Sequence, residues 1–281
     1  MPLVLGADLG ATNLRVALGN GDGVVRRIDG PVPASASELA QAVATAARGE
    51  DVRAAAVGVP GIPVGDGFSG LIAGAAGLTG APLRRLLEDA LGVPVTLEND
   101  LNLAALAERD VRGVDDLAFV GVGTGVGMGI VAGGRLLRGA TGAAGELGHV
   151  PAGGRELPGP DGLGPLEAIA GGAGLAARWG TGSAHDVFAA AERGDSRARA
   201  LLDDQARALA SAIRAVRALL DPEVVVLGGG IGCRPDVVER VSGALGAPVE
   251  AARLGEEAGL HGALGEAQRS LTRASRRSTS R

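Results

Sequence analysis

The stretch LVLGADLGATNLRVALGNGDGVVRRI, residues 3–28, reads as strand, turn, strand, tight turn, strand. Apolar residues flank Gly-rich turns, and NGDG at 20–23 is a strong hairpin signal. The same pattern begins again at residue 117, with LAFVGVGTGVGMGIVAGGRLLRG, residues 117–139. The first turn is DLGATN in one copy and GVGTGVG in the other, and each precedes a Val/Leu/Ile strand that ends in a Gly-containing hairpin. We read this as an internal structural duplication: two α/β lobes, each opening with a β-meander whose first turn is rich in Gly and Thr.

Outward from these repeats, residues 35–48 form an Ala-rich helical stretch, and AAAVGVPG, residues 54–61, reads as a buried strand ending at Pro60-Gly61. A helix around PLRRLLEDALG leads to the strand VPVTL, then to the polar cluster Glu98-Asn99-Asp100 and the helix-like LNLAALAERD. After the second meander come a long helix over about 195–220 and the strand EVVVLGGG, and the last helix is expected to start near Arg234. The tail LTRASRRSTSR is polar and basic and reads as disordered. The expected division is an N-terminal α/β lobe at 1–103, a C-terminal α/β lobe at 104–266 and a disordered tail at 267–281. No Pro/Ser-rich linker separates the lobes, so they should be closely joined and hinge about their connection.

Composition narrows the function. The chain has 281 residues, of which 46% are hydrophobic, enough for a real core. No apolar run is long enough to span a membrane, and MPLVLGADLG lacks the basic start of a signal peptide. A net charge of -5 with both signs mixed argues against nucleic acid as the main partner. These features together suggest a soluble cytoplasmic protein. The single cysteine, Cys233, allows no internal disulfide and no Cys-based zinc site. All 27 Lys+Arg positions are Arg. A P-loop, a protein-kinase fold and a pyridoxal Schiff base each require a Lys, so all three are excluded.

Five motifs carry chemistry, several with a plainer reading beside them. In DLGATN, Gly10 lets backbone approach an anion, Thr12 adds a hydroxyl donor, and Asp8 could hold Mg²⁺ through water; the alternative is a plain hairpin turn. The second Gly/Thr turn, GTGVG at 123–127, strengthens the phosphate reading, because two such turns from two lobes would clamp a phosphate chain. LGGGI, residues 227–231, either lets a flat ring lie against backbone or makes a tight strand-to-helix turn. In LENDLN, residues 97–102, Asn99 and Asp100 either cap a helix or place a carboxylate that takes a proton from an alcohol. GELGHVPAGGRELPGPDGLGPLEA, residues 145–168, sets Glu146, His149 and Glu167 around a Gly/Pro-rich loop that could hold a metal or a polar small molecule.

DLGATN, LENDLN, GTGVG, GAAGELGH and VVVLGGG, in this order and spacing, resemble the ROK family (repressors, open reading frames and sugar kinases) of the actin-like ATPase superfamily, from about Leu3 to Glu266. The resemblance implies a two-lobed actin-like ATPase (ribonuclease H-like) α/β fold. With the first strand at Leu3, no helix-turn-helix is expected before it, which favours the kinase branch. Asp100 then resembles the general base that takes the proton of the attacking sugar hydroxyl. Asn99, Gly61, Glu146, His149 and Glu167 resemble sugar ligands. Asp8, Gly10, Thr12 and Asn13 resemble the first phosphate turn, Thr124 and Gly125 the second, and Gly228 and Gly229 the adenosine contact. ATP and Mg²⁺ are the implied cofactors, and a homodimer or homotetramer is the usual assembly.

Two departures stand out. The family's Cys-rich run after the histidine is replaced by PAGGRELPGPDGLGPLE, so no structural zinc is expected, and Pro151, Pro158, Pro160 and Pro165 are expected to stiffen the loop instead. The stretch IAGAAGLTG, residues 72–80, lacks the sugar-touching Asn that family glucokinases usually carry. The expectation is therefore an ATP- and Mg²⁺-dependent hexose kinase acting on a 6-hydroxyl, with glucose first. An amino sugar such as kanosamine, N-acetylmannosamine or N-acetylglucosamine is the alternative. A non-catalytic sugar sensor or a polyphosphate-using relative are the rivals.

Overall fold

The structure is a computed structural model that describes residues 2–10, 13–20, 23–69, 77–152, 163–180 and 182–278. It divides into two compact units, one of residues 1–107 with 257–281, the other of residues 108–256.

The first unit opens with the expected meander: β1 (Leu3–Leu9), β2 (Asn13–Asn20) and β3 (Gly23–Pro31). Helix α1 (Ala36–Ala47) follows, its start fixed by Ser35, which accepts the Glu38 N–H. Then come β4 (Val52–Val59), a small hairpin of β5 (Ile62–Val64) and β6 (Gly67–Ser69), α2 (Leu83–Leu91), β7 (Val95–Asn99) and α3 (Asp100–Arg112). The main sheet runs in the order β3-β2-β1-β4-β7, antiparallel in the meander and parallel from β1 through β4 to β7. Leu5, Leu9, Leu18, Leu39, Leu83 and Leu87 are fully buried between this sheet and α1 and α2.

The second unit repeats the plan. Its strands are β8 (Leu117–Val122), β9 (Val126–Ala132), β10 (Arg135–Leu136), β11 (Val224–Gly228) and β12 (Glu250–Ala251), in the order β10-β9-β8-β11-β12. Again a meander is followed by two parallel strands. Between β10 and β11 lie a 3-10 turn (Leu147–His149), α4 (Pro165–Ala170), α5 (Gly172–Trp179), α6 (Ala184–Glu192) and the long α7 (Ser196–Leu220). After β11 come the short α8 (Gly229–Gly232) and α9 (Pro235–Leu245). With aromatic residues at 1%, the core is aliphatic: Leu117, Leu166 and Leu175 are fully buried, with Phe119 the one large ring among the largest such side chains.

Two expectations fail here. The helix near Arg234 is not the last, and residues 267–278 are not a disordered tail: α10 (Ala258–Ser278) returns the chain to the first unit. The reason is an apolar stripe. Leu264, Ala267 and Leu271 recur at helical spacing and pack on Val4, Ala54 and Ala56, the sheet face away from α1. The approach is close, because a Cβ on Gly6 would stand 2.7 Å from the Leu264 nitrogen. No helix among the described residues is long and apolar enough to cross a membrane.

Candidate active site

In the first unit the carboxyl ends of β1, β4 and β7 place Asp8, Gly58 and Glu98 in one register row. Residues in register share a face, here the one that α10 covers. Asp8 is buried, 7% exposed, and accepts a 3.4 Å hydrogen bond from Arg15 Nη1. Burial pushes its carboxyl above the ordinary value; Arg15 opposes this by charge and hydrogen bond, and Glu257 adds a smaller upward push. Space for the carboxylate comes from two glycines that sequence reasoning missed. A Cβ on Gly259 would lie 2.9–3.0 Å from Asp8 Cγ, Oδ1 and Oδ2, and one on Gly58 3.5 Å from Asp8 Oδ1 and from Asp100 Cα. Gly10 turns the chain out of β1 by donating its N–H to the Asn13 carbonyl at 2.9 Å. Asn13 opens β2 and is exposed, and Thr12 lies outside the described residues.

The elbow between β7 and α3 is a polar knot. Asn99 Oδ1 accepts the Asn102 N–H at 3.0 Å, the expected helix cap. Its Nδ2 donates to the Gly61 carbonyl at 3.2 Å, bringing these two sequence-named residues together. Asp100 Oδ1 accepts the Leu101 N–H at 2.9 Å. Behind them Glu98 Oε1 accepts both the Asn99 N–H at 3.0 Å and Asn102 Nδ2–H at 2.8 Å. Glu98 and Asn102 are buried, 4% and 2% exposed, so the elbow is braced from the core side. Asn102 was missed, although its spacing of four from Glu98 at the start of a helix was a usable signal.

In the second unit the β8–β9 turn holds Thr124 and Gly125, with Thr124 exposed. The start of α5 pins this turn: Gly172 N–H donates to the Gly123 carbonyl at 2.8 Å and Ala173 N–H to the Thr124 carbonyl at 2.9 Å. Gly228 ends β11 and Gly229 begins α8. A side chain at Gly228 would run into the Phe119 ring, and Gly229 has φ +78°, so both glycines have packing reasons of their own. His149 Nε2 lies 3.9 Å from Glu146 Oε2, too far for a direct hydrogen bond, with the two side chains 67% and 45% exposed. Glu167 lies against the β8–β9 turn. Its Oε1 accepts the Val126 N–H at 3.3 Å and its Oε2 the Gly164 N–H at 3.4 Å.

Pro165 opens α4, a favoured place for proline, and Pro151 is described, while Pro158 and Pro160 lie in 153–162, outside the described residues, as do 72–76 of the IAGAAGLTG stretch. Among the described residues, no group of three or more His, Cys, Asp or Glu side chains is placed to hold a metal. One buried carboxylate, Asp8, suits Mg²⁺ held through water, because Mg²⁺ keeps several of its own waters.

Residues 4–269 match the model of the ROK family. The chain is 36% identical over 278 residues to the bifunctional enzyme NanE/NanK of Brucella suis biovar 1, covering 92% of this chain and 52% of that protein. It thus spans about half the length of that relative. It is 36% identical over 251 residues to an N-acetylmannosamine kinase of Shigella flexneri, covering 82% and 83% of the two chains. Among solved structures, a ROK hexokinase from Thermus thermophilus superposes with TM-score 0.81 at 32% identity, covering 96% of this chain and 99% of that one. A ROK family glucokinase from Streptomyces griseus, in complex with glucose and AMPPNP, superposes with TM-score 0.75 at 27% identity, covering 95% and 99%. The family match spans both duplicated sheets, and the chain belongs to the ROK family, with its two-lobed actin-like ATPase fold.

Proposed function

We propose that the protein is an ATP-dependent sugar kinase whose acceptor is the 6-hydroxyl of an amino sugar, with N-acetylmannosamine the first candidate and glucose the second. The observation that carries the kinase reading is the braced elbow of Asn99 and Asp100 at the carboxyl end of β7, whose Glu98 shares the register row of the buried Asp8. The names of the relatives at 36% identity move the amino sugar ahead of glucose.

In this reading Asn99 orients the sugar. One Nδ2 hydrogen and one Oδ1 lone pair are used by Gly61 and Asn102, leaving one donor and one acceptor for hydroxyls. Asp100 accepts the proton of the attacking hydroxyl as its oxygen bonds to the γ-phosphorus and the bond to the β-phosphate bridging oxygen breaks, releasing ADP. In this reading the segments at Gly10 and Gly125 take the phosphates, and Gly228 and Gly229 lie beside adenosine. Glu146, His149 and Glu167 supply further sugar contacts. Mg²⁺, held through water by Asp8, supplies neutralisation of the phosphate charge when bound.

The test is ADP release across glucose, N-acetylmannosamine, N-acetylglucosamine and kanosamine, with ATP or polyphosphate as donor. Turnover is expected with ATP and N-acetylmannosamine. Absence of turnover with every pair, despite measurable sugar binding, would favour the sensor reading. Asp100→Asn should lower kcat by at least about a hundredfold while sugar Kd changes less than about tenfold. A variant that keeps more than about a tenth of wild-type kcat removes Asp100 from its role.

A further inference from the structure

Glu167 stands against both the His149 segment and the 123–125 turn of the second unit. Its carboxylate accepts the Val126 N–H, at the exit of the turn, and the Gly164 N–H, at the start of α4. Glycines let the pieces close around it. A Cβ on Gly125 would collide with Glu167 Oε1, one on Gly148 would stand 3.3 Å from Glu167 Cβ, and one on Gly164 would stand 2.9 Å from His149 Cα. At the far end of α4 the Glu167 carbonyl accepts the Gly171 N–H at 2.8 Å, and the next residue, Gly172, binds the Gly123 carbonyl. Helix α4 therefore meets the histidine segment at its start, while its Glu167 side chain and the start of α5 meet the 123–125 turn. This packing fastens the histidine segment to the start of α4.

The carboxylate's two bonds are long, 3.3 and 3.4 Å against a usual 2.9–3.0 Å for N–H···O. A carboxylate held this loosely can be drawn away by a hydroxyl that offers a shorter bond. Any such shift changes the acceptor at Val126 N–H and the space beside Gly125. We infer that Glu167 couples the two ligands: sugar bound at its carboxylate reshapes the Gly123–Gly125 turn and raises nucleotide affinity, and nucleotide raises sugar affinity by the same factor. This rests on the sugar-kinase reading above, but it adds a wire inside one unit, independent of any movement of the two units.

Calorimetry with AMPPNP and N-acetylmannosamine, each alone and each in the presence of saturating partner, tests it without turnover. Wild type should show each ligand tightening the other at least about fivefold. Gly125→Ala, which pushes the carboxylate off the turn while keeping it, should bring that factor to about one, whatever it does to each ligand's own affinity. Glu167→Gln keeps the shape but cannot accept both N–H groups, and should reduce the factor in the same direction. If both ligands bind wild type with no mutual effect, or if both variants keep the wild-type factor, the coupling role of Glu167 is wrong and the kinase reading stands. If neither ligand binds wild type, both are overturned.

Discussion

Asp8 is a buried carboxylate whose charged form costs stability. Folding raises its pKa, so the folded chain holds the Asp8 proton to higher pH than the unfolded chain does. Its contribution is therefore full below the ordinary carboxylate value and is lost as pH rises through the raised, folded-state value. Asp8→Asn should be more stable than wild type at pH 7, with a smaller advantage at pH 4, and should lose most kinase activity. Urea unfolding at both pH values checks this, and an equal effect at the two would contradict it. Glu108 is a buried carboxylate with firm partners. It is fully buried, accepts Arg112 Nε–H at 3.0 Å and the Leu254 N–H at 2.7 Å, and Arg112 is itself 3% exposed. Glu108→Ala strips one of the two carboxylates from the Arg112 guanidinium, leaving the exposed Glu250 and the Ala251 carbonyl, and should cost about 3 kcal/mol by urea unfolding. Asp100 was legible in the sequence as a carboxylate at a strand–helix junction. Its brace was not, because Glu98 and Asn102 gain their meaning from sharing a buried side of the elbow.

At the scale of elements, the strands and turns of the two meanders follow from alternating apolar runs and Gly-rich punctuation, and α1, α3 and α7 from helical periodicity. The segments from 62 to 69 and from 165 to 192 were not legible. β5 and β6 have three residues each, and α4 has six, too short for a period to register. α10 was misread because its second half is polar, yet Leu264, Ala267 and Leu271 are enough to hold it to the sheet. The fit of α10 over β1 depends on Gly6. Gly6→Val should therefore destabilise the chain by about 1–3 kcal/mol, since the added atoms would meet the helix backbone rather than a yielding side chain. A Tm equal to wild type would show that α10 can stand off at no cost.

At the scale of the molecule, the two sheets share one plan, and the chain visits the first unit twice. The expected boundaries at 103 and 266 reflect a reading along the chain, whereas contacts divide it at 107 and 256. The last 25 residues belong with the first unit because the apolar face of its sheet opposite α1 is covered by α10. A chain ending at Glu257 should expose Val4, Ala54 and Ala56, lose cooperative unfolding of the first unit and become cut there by protease at low concentration. Native-like resistance of residues 1–107 in that truncation would refute the assignment.

The sequence by itself determined the duplication and the order of the meanders, and it set a carboxylate, Asp100, at a strand–helix junction, because local periodicity and turn chemistry act over a few residues. It also excluded a thiolate zinc site, since one Cys cannot supply three ligands. Only the tertiary structure decided which groups stand behind those residues. Glu98 with Asn102, Gly259 beside Asp8, and Glu167 against Gly125 each join positions whose relation is set by packing across strands and helices. The physical reason is that a hydrogen bond or a close contact is read from distance in space, and chain order does not report it where elements of different sheets and helices meet.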